Sequence, residues 1–247
     1  PAGYDEAALP DIAAAAERPN AETDDRPDIL LILSESLYDF SLVTDLQADT
    51  ELMPVIRALP NAVRGHTVSA NVGGGTNVTE YEMLTSNSPM LVPTVTPFNG
   101  LDFSDANSVV GYLKSLGYTT MAAHPYAASN YNRDVVWQQL GFDETHFMQD
   151  FPTQETYGAR PYQTDSATYR DWQALYEAMP ADKPRFSFLV SIQTHGDYTM
   201  NDDTQNIVHA AADYGAFDHT MDEYLSCVRM SDAAFGELCD YFTDLYA

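Results

Sequence analysis

The sequence predicts an α/β sandwich in which helices flank a mostly parallel central sheet. Three stretches are apolar enough to be strands buried on both faces of such a sheet: residues 28–34, 118–123 and 186–192. Helical patterns alternate with these stretches, and that alternation is typical of α/β folds. The chain has 247 residues, of which 45% are hydrophobic and 19% charged, so it is long enough to bury a sizeable core.

The other elements follow in chain order. Residues 1–27 are rich in Ala, Asp, Glu and Pro and show no strand pattern, so we expect a solvated linker or arm before a body spanning 28–247. A helix carrying apolar residues from Val109 to Leu116 should end at Gly117, with capping chemistry available at Ser104-Asp105. Further helices are expected at residues 134–140, 166–179 and 221–246.

The charge balance excludes some functions. Asp plus Glu number 37 and Lys plus Arg 11, a formal net charge of −26, so nucleic-acid binding and attachment to anionic lipid through a basic patch are both disfavoured. There is no uninterrupted apolar stretch of about 18 residues, and the N-terminus lacks the pattern of a signal peptide. Cys227 and Cys239 should lie roughly 18 Å apart on one helix, too far for a disulfide.

Polar residues follow all three predicted strands. Glu35 comes after the first, His124 after the second and His195 after the third. In open α/β sheets functional groups gather at the carboxyl ends of the strands, so these side chains are expected to share a pocket. A carboxylate there is costly unless it is paired or bound to a metal. The alternatives are a solvent-facing acid at Glu35 and structural histidines.

A glycine-rich segment at residues 71–76 precedes a second group of candidates. Its three glycines allow close approach of a ligand, and the helical pattern that follows offers an N-terminus suited to an anion such as phosphate. Thr76, directly after the glycines, could act as a nucleophile if a metal lowers the pKa of its hydroxyl. The alternative is a glycine turn with Thr76 or Asn77 as an ordinary N-cap.

One arginine lies where it could reach an anion. Arg133 precedes the helix predicted at 134–140 and could pair with both oxygens of a phosphate. The alternative for Arg133 is a surface salt bridge with Asp134 or another neighbour.

Together these segments resemble the lipoteichoic acid synthase group of the sulfatase/alkaline phosphatase superfamily. The similarity runs from about residue 28 to 245 through ILSESLYDF, MPVIRAL, SANVGGGTNVTEYEMLTSNS, YTTMAAHPYAASNYNRDVVWQQLGFDE and FLVSIQTHGDY. The resemblance implies a sulfatase-like catalytic domain. It also implies a divalent metal, most often manganese, with magnesium or zinc in relatives.

The resemblance implies roles for individual residues. Glu35 matches a metal ligand, and Thr76 matches the nucleophile, which is also a metal ligand. The family places that nucleophile four residues before a glutamate, here Glu80, so Thr79 is the less favoured alternative. Substrate contacts are implied for four residues that match the family's phosphate or glycerol site: His124, Tyr131, Arg133 and His195.

In one respect the sequence departs from this family. The family completes its metal site with an Asp-His pair after a later strand, whereas the pair found here, Asp218-His219, has no strand ahead of it. We interpret that pair as a loop or helix-start feature, with Asp218 or Thr220 as a possible cap. The chain is therefore expected to be truncated at its C-terminal end relative to the family domain, with half of the implied metal ligands.

The resemblance implies transfer of glycerophosphate from a phosphatidylglycerol-type lipid to a glycerol or glycan hydroxyl through a phosphothreonine. The enzyme would act on the extracellular face of a bacterial membrane, with a membrane tether outside this sequence and no nucleic-acid partner. Two alternatives stay open. One is a phosphodiesterase, phosphoethanolamine transferase or sulfatase of the same superfamily. The other is a non-catalytic binding module that lacks a full metal site.

Overall fold

A computed structural model of the chain describes residues 26–40, 46–71 and 74–247. The predicted arm at residues 1–27 lies outside this part of the chain, except for Arg26 and Pro27. Its character as a linker therefore remains a prediction.

Four parallel strands form one sheet, which confirms the predicted α/β class. In spatial order they run β1-β4-β2-β3. Three of them match the predicted apolar runs, and β3 was not predicted because its three residues, Glu-Thr-His, carry no apolar pattern. The strand bounds are β1 Ile29–Leu33, β2 Thr119–Ala123, β3 Glu144–His146 and β4 Arg185–Val190.

Helices separate the strands along the chain, as the alternating pattern predicts. Among the described residues the α-helices are α1 Pro54–Ala58, α2 Thr76–Thr85, α3 Pro97–Gly100, α4 Val109–Ser115, α5 Arg133–Gln139, α6 Asp165–Ala178 and α7 Asp218–Leu245.

Apolar side chains cover both faces of the sheet. Phe188 of β4 packs into a cluster on one face that includes Trp137 of α5. The next residue, Leu189, packs into a second cluster on the other face, which includes Trp172 of α6 and Leu238 of α7. This alternation along one strand is what a central strand buried between two helical layers requires.

Two predicted helix starts need correction. The helix α4 is capped by Ser108, whose side chain accepts a hydrogen bond from the N–H of Gly111 at 2.9 Å, and not by Ser104-Asp105. Ser104 instead donates to Asp102 in a separate turn. The helix α7 begins at Asp218, three residues earlier than predicted, and its N-cap position is Phe217 rather than Asp218 or Thr220.

The two cysteines are free and both lie on α7. Over the residues that the structure describes, no helix combines the length and apolar character needed to cross a bilayer.

Candidate active site

The site lies at the carboxyl edge of the sheet, as the strand-end pattern predicts. Because β1, β4 and β2 are parallel neighbours, the residues that follow them emerge at the same edge. Glu35 follows β1 and His195 follows β4, and the Nε2 atom of His195 lies 3.6 Å from Oε1 of Glu35. His124 directly follows β2 but is fully buried. Glu35 and His195 line two separate cavities and His124 lines neither of them, so the prediction that all three side chains share one pocket is not met.

The glycine turn leads directly into α2 and presents Thr76 to Glu35. Gly74 and Gly75 have φ angles of +101° and +81°, a region that favours glycine. Gly75 is the N-cap of α2, and no side chain in the described part of the chain caps this helix, so the interpretation of Thr76 or Asn77 as an ordinary N-cap is wrong. The Thr76 hydroxyl instead donates a hydrogen bond to Oε1 of Glu35 at 2.9 Å.

Glu35 is a largely buried acid. Its side chain is 11% exposed, so the alternative of a solvent-facing strand-end carboxylate is wrong. Burial raises the pKa of Glu35, while the nearby His195 and the hydrogen bond from Thr76 oppose that rise. Glu35 and Thr76 both line a cavity of about 400 Å³, so a ligand can reach them.

The loop that carries His195 is held by a buried ion pair that no sequence pattern indicates. The guanidinium of Arg160 pairs with Glu223 of α7, and both side chains are at most 1% exposed. Arg160 also donates to the backbone carbonyls of Asp197 at 2.7 Å, Gln193 at 3.3 Å and His195. The two partners are 63 residues apart in the sequence, and no motif or spacing connects them.

Arg133 is buried, so the alternative of a surface salt bridge with Asp134 is wrong. Its Nε and Nη2 atoms donate to Oε1 of Glu80 at 3.0 and 2.7 Å, and the indole N–H of Trp137 donates to the other Glu80 oxygen at 3.1 Å. The Nη1 atom of Arg133 is also buried but has no hydrogen-bond partner among the described residues. Because Glu80 holds Nε and Nη2, only Nη1 is left for an anion, and the prediction that Arg133 pairs with both oxygens of a phosphate does not fit this arrangement. Tyr131 lies beside the guanidinium, with 5.3 Å between its ring centroid and Cζ.

His124 is fully buried and electrically neutral. Its Nδ1 atom lies 2.9 Å from the carbonyl oxygen of Val190, which can only accept, so Nδ1 carries the proton. Burial and the charge of Arg133 lower the pKa of His124 to about 3. The Nε2 atom is an acceptor to which no group in the described part of the chain donates, which suits a ligand hydroxyl better than a phosphate oxygen.

The remaining candidates have other partners. Thr79 lines the same cavity as Thr76, but its hydroxyl lies 3.2 Å from that of Ser69. Asp218 and His219 are the first two residues of α7, as the helix-start interpretation predicts. The ring nitrogens of His219 face Asp203 and Glu223, and Asp218 accepts a backbone bond from Tyr214.

The donors present fit part of a site for a hard divalent cation. A carboxylate and a hydroxyl oxygen, 2.9 Å apart beside an open cavity, are the ligand types that magnesium and manganese prefer. Across the described residues, no three His, Cys, Asp or Glu side chains come together as a metal site. Glu35 and Thr76 would therefore supply two ligands, and the other positions would be filled by water, substrate or further groups.

A family model, a curated protein and solved structures match most of this chain. The family model described as Sulfatase matches residues 27–246. A Rhizobium meliloti (strain 1021) protein named "Putative cyclic beta-1,2-glucan modification protein" is 26% identical over 243 residues, which are 98% of this chain and 37% of that protein.

Two solved structures share the fold. One is the lipoteichoic acid synthase LtaP from Listeria monocytogenes, with a TM-score of 0.71, 20% identity and coverage of 88% of this chain and 52% of that one. The other is the Streptococcus pyogenes phosphoglycerol transferase GacH in complex with sn-glycerol-1-phosphate. Its TM-score is 0.75 at 20% identity, covering 88% of this chain and 58% of that one. The chain thus spans between a third and three fifths of these relatives' lengths.

Proposed function

The chain belongs to the sulfatase family, and on this premise we propose that it carries the nucleophile of a metal-dependent phosphoglycerol transferase. The observation that carries the proposal is the hydrogen bond from Thr76 to Glu35 at the N-terminus of α2. It supports the proposal because a threonine hydroxyl, a carboxylate and the positive end of a helix dipole lie together there, which suits a nucleophile beside a metal ligand. GacH, which shares the fold, forms a complex with sn-glycerol-1-phosphate, and this supports a phosphoglycerol substrate.

Members of the superfamily generally use a divalent metal, and we propose manganese, with magnesium or zinc as alternatives, bound by Glu35 and Thr76. When bound, such an ion supplies positive charge that lowers the pKa of the Thr76 hydroxyl. A cation is also needed because the formal net charge of −26 repels an anionic lipid headgroup, and the charge of Arg133 is already balanced by Glu80.

The reaction we propose has two steps. The Thr76 oxygen attacks the phosphorus of a phosphatidylglycerol-type lipid, the bond from phosphorus to the diacylglycerol oxygen breaks, and diacylglycerol leaves with a proton. The hydroxyl of a glycerol or glycan acceptor then attacks the glycerophosphoryl-threonine, and the Thr76 oxygen regains a proton as its bond to phosphorus breaks.

The other candidate side chains have separate roles in these steps. Nη1 of Arg133 and the imidazole of His195 stabilise the negative charge on the phosphoryl oxygens. The neutral Nε2 of His124 accepts a hydrogen bond from a glycerol hydroxyl, and Tyr131 contacts the substrate beside Arg133. From the family resemblance we further propose that the enzyme works on this lipid at the extracellular face of a membrane to which it is tethered.

Two other functions remain candidates. A phosphodiesterase or phosphoethanolamine transferase would use the same residues, whereas a sulfatase normally requires a cysteine or serine converted to formylglycine where this chain has Thr76. A non-catalytic binding module is favoured only by the small number of metal ligands among the described residues.

The test is Thr76→Ala in the full-length protein, with Thr79→Ala as the matched control. We expect Thr76→Ala to abolish manganese-dependent release of diacylglycerol from phosphatidylglycerol, while Thr79→Ala, which removes a hydroxyl from the same cavity, retains turnover. Mass spectrometry of the wild type should find glycerophosphate on the peptide that contains Thr76. Turnover that survives Thr76→Ala in a folded protein would remove Thr76 from the mechanism.

A further inference from the structure

A second cavity, of about 420 Å³, opens beside the candidate active site. We call it the tyrosine cavity: Tyr126, Tyr162 and His195 form its wall, and Ser129 and Asn130 provide polar groups. His195 also lies against Glu35, with 3.6 Å between Nε2 and Oε1. A ligand in the tyrosine cavity therefore lies next to the group that Thr76 would carry.

The aromatic rings of this cavity are neighbours that are tilted against one another, by 58° between Tyr126 and Tyr162 and by 51° between Tyr162 and His195. The ring centroids of Tyr126 and Tyr162 are 6.2 Å apart, and those of Tyr162 and His195 are 4.9 Å apart. The hydroxyl of Tyr162 donates to the carbonyl of Gly196 at 3.0 Å, which fixes that ring against the loop carrying His195. Tyr126 is 36% exposed, so its ring is accessible from solvent.

The lining has little charge. Within the described ranges no Asp or Glu lines the tyrosine cavity, although the chain contains 37 acidic residues, and His195 is the one basic residue that they contribute to its wall. Such a lining neither repels an anion nor attracts one strongly. It suits a neutral ligand that combines an apolar face with hydroxyl groups.

A pyranose ring has that combination, because one face presents C–H groups that pack on aromatic rings and its edge presents hydroxyls. We propose that the tyrosine cavity binds a neutral sugar ring of a glycan acceptor, an inference that rests on the proposed function. Tyr126 and Tyr162 provide the stacking surface, and Ser129 and Asn130 bond hydroxyls.

The bound sugar takes part in the second step of the reaction. One of its hydroxyl oxygens bonds to the phosphorus held on Thr76, the bond from phosphorus to the Thr76 oxygen breaks, and the hydroxyl proton ends on that oxygen. The cavity thereby favours a glycan over water as acceptor.

The first test measures binding alone, in full-length protein carrying Thr76→Ala so that no turnover occurs. The probes are a β-1,2-linked glucose trisaccharide and free glycerol, titrated separately by saturation-transfer NMR. We expect Tyr126→Ala and Tyr162→Ala each to weaken trisaccharide binding about five- to tenfold, the loss of one stacked ring, and to leave glycerol binding unchanged.

Two control variants separate stacking from structural effects. Tyr162→Phe keeps the ring and loses only the bond to Gly196, so it should bind the trisaccharide as the wild type does. Tyr112→Ala removes a tyrosine that is 57% exposed on α4, outside the cavity, and should also have no effect. Absence of trisaccharide binding, or an equal loss in Tyr112→Ala, would overturn the proposal. So would weakening of glycerol binding by Tyr126→Ala.

The second test measures transfer in protein with Thr76 intact. Tyr126→Ala should lower the rate of phosphoglycerol transfer to the trisaccharide and leave release of glycerophosphate to water unchanged. Equal losses of both activities would contradict an acceptor subsite. If the trisaccharide binds as expected but Thr76→Ala protein still turns over, the proposed function fails and the sugar site stands.

Discussion

Removing the positive charge of Arg160 should destabilise the protein far more than removing an exposed arginine. Arg160 and Glu223 are at most 1% exposed, and Glu223 also accepts the backbone N–H groups of Met200 at 3.0 Å and Asn201 at 2.9 Å. Arg160→Met keeps the length of the side chain but leaves the Glu223 charge buried without its partner. Breaking a buried pair in this way costs about 3–5 kcal/mol.

The structure supplies a matched control. Arg170 pairs with Glu155 at 2.6 Å, but both side chains are more than half exposed. Arg170→Met should therefore cost no more than about 1 kcal/mol, because water screens an exposed pair.

The assay is urea unfolding of both variants, followed by circular dichroism and checked by thermal melting. At about 2–4 °C for each kcal/mol, Arg160→Met should lower the Tm by roughly 6–20 °C. Combining it with Glu223→Gln should recover part of the loss, because the buried negative charge is then also gone. A loss for Arg160→Met no larger than that for Arg170→Met would refute the argument.

Two further outcomes follow from the same structure. Burial raises the pKa of Asp165, at the start of α6, from 3.8 to about 6. The folded state therefore binds the proton of this carboxyl more tightly than the unfolded state does. As a result, the contribution of Asp165 to the free energy of unfolding falls as pH rises between about 4 and 6. The free energy of unfolding of the wild type should fall by about 3 kcal/mol over this range, and that fall should be absent in Asp165→Asn. Urea unfolding at several pH values measures it, and an equal pH dependence in the wild type and the variant would contradict the argument. Manganese at a hundred times its Kd should stabilise the folded wild type by about 2.7 kcal/mol and should stabilise Glu35→Gln by much less. The rise in Tm on adding manganese measures this effect. Equal rises in both proteins would mean that the ion binds elsewhere.

The strands and the edge that carries the site follow from sequence patterns. Apolar runs identify β1, β2 and β4. The strands β2 and β4 lie in the middle of the described parallel sheet and are buried on both faces, as such runs predict, whereas β1 lies at an edge and is only partly buried along its length. The rule that ligands bind at the carboxyl ends of strands then places Glu35 and His195 together without any knowledge of side-chain positions.

The polar contacts between distant segments could not be predicted in the same way. The partner of Arg133 is Glu80, 53 residues earlier, and the partner of Arg160 is Glu223. Each ion pair depends on where two separate helices or loops meet in space. No sequence pattern relates residues that are 53 or 63 positions apart, so neither ion pair could be predicted. The N-cap of α4 was mispredicted for a simpler reason. Ser104 has the same capping hydroxyl as Ser108 and lies four residues earlier, so the sequence alone does not distinguish the two.

The pairing of β1 with β4 determines when the candidate site can form during folding. Ile29 lies opposite Phe186 in the sheet, so β1 cannot pair with β4 until the much later segment that contains β4 has been synthesised. Contacts so distant in sequence form slowly, since the intervening chain must lose much of its freedom first. The side chains after these two strands meet only when that pairing is complete. A partly folded molecule therefore lacks the assembled candidate site, and the proposed activity would report that β1 and β4 have paired correctly.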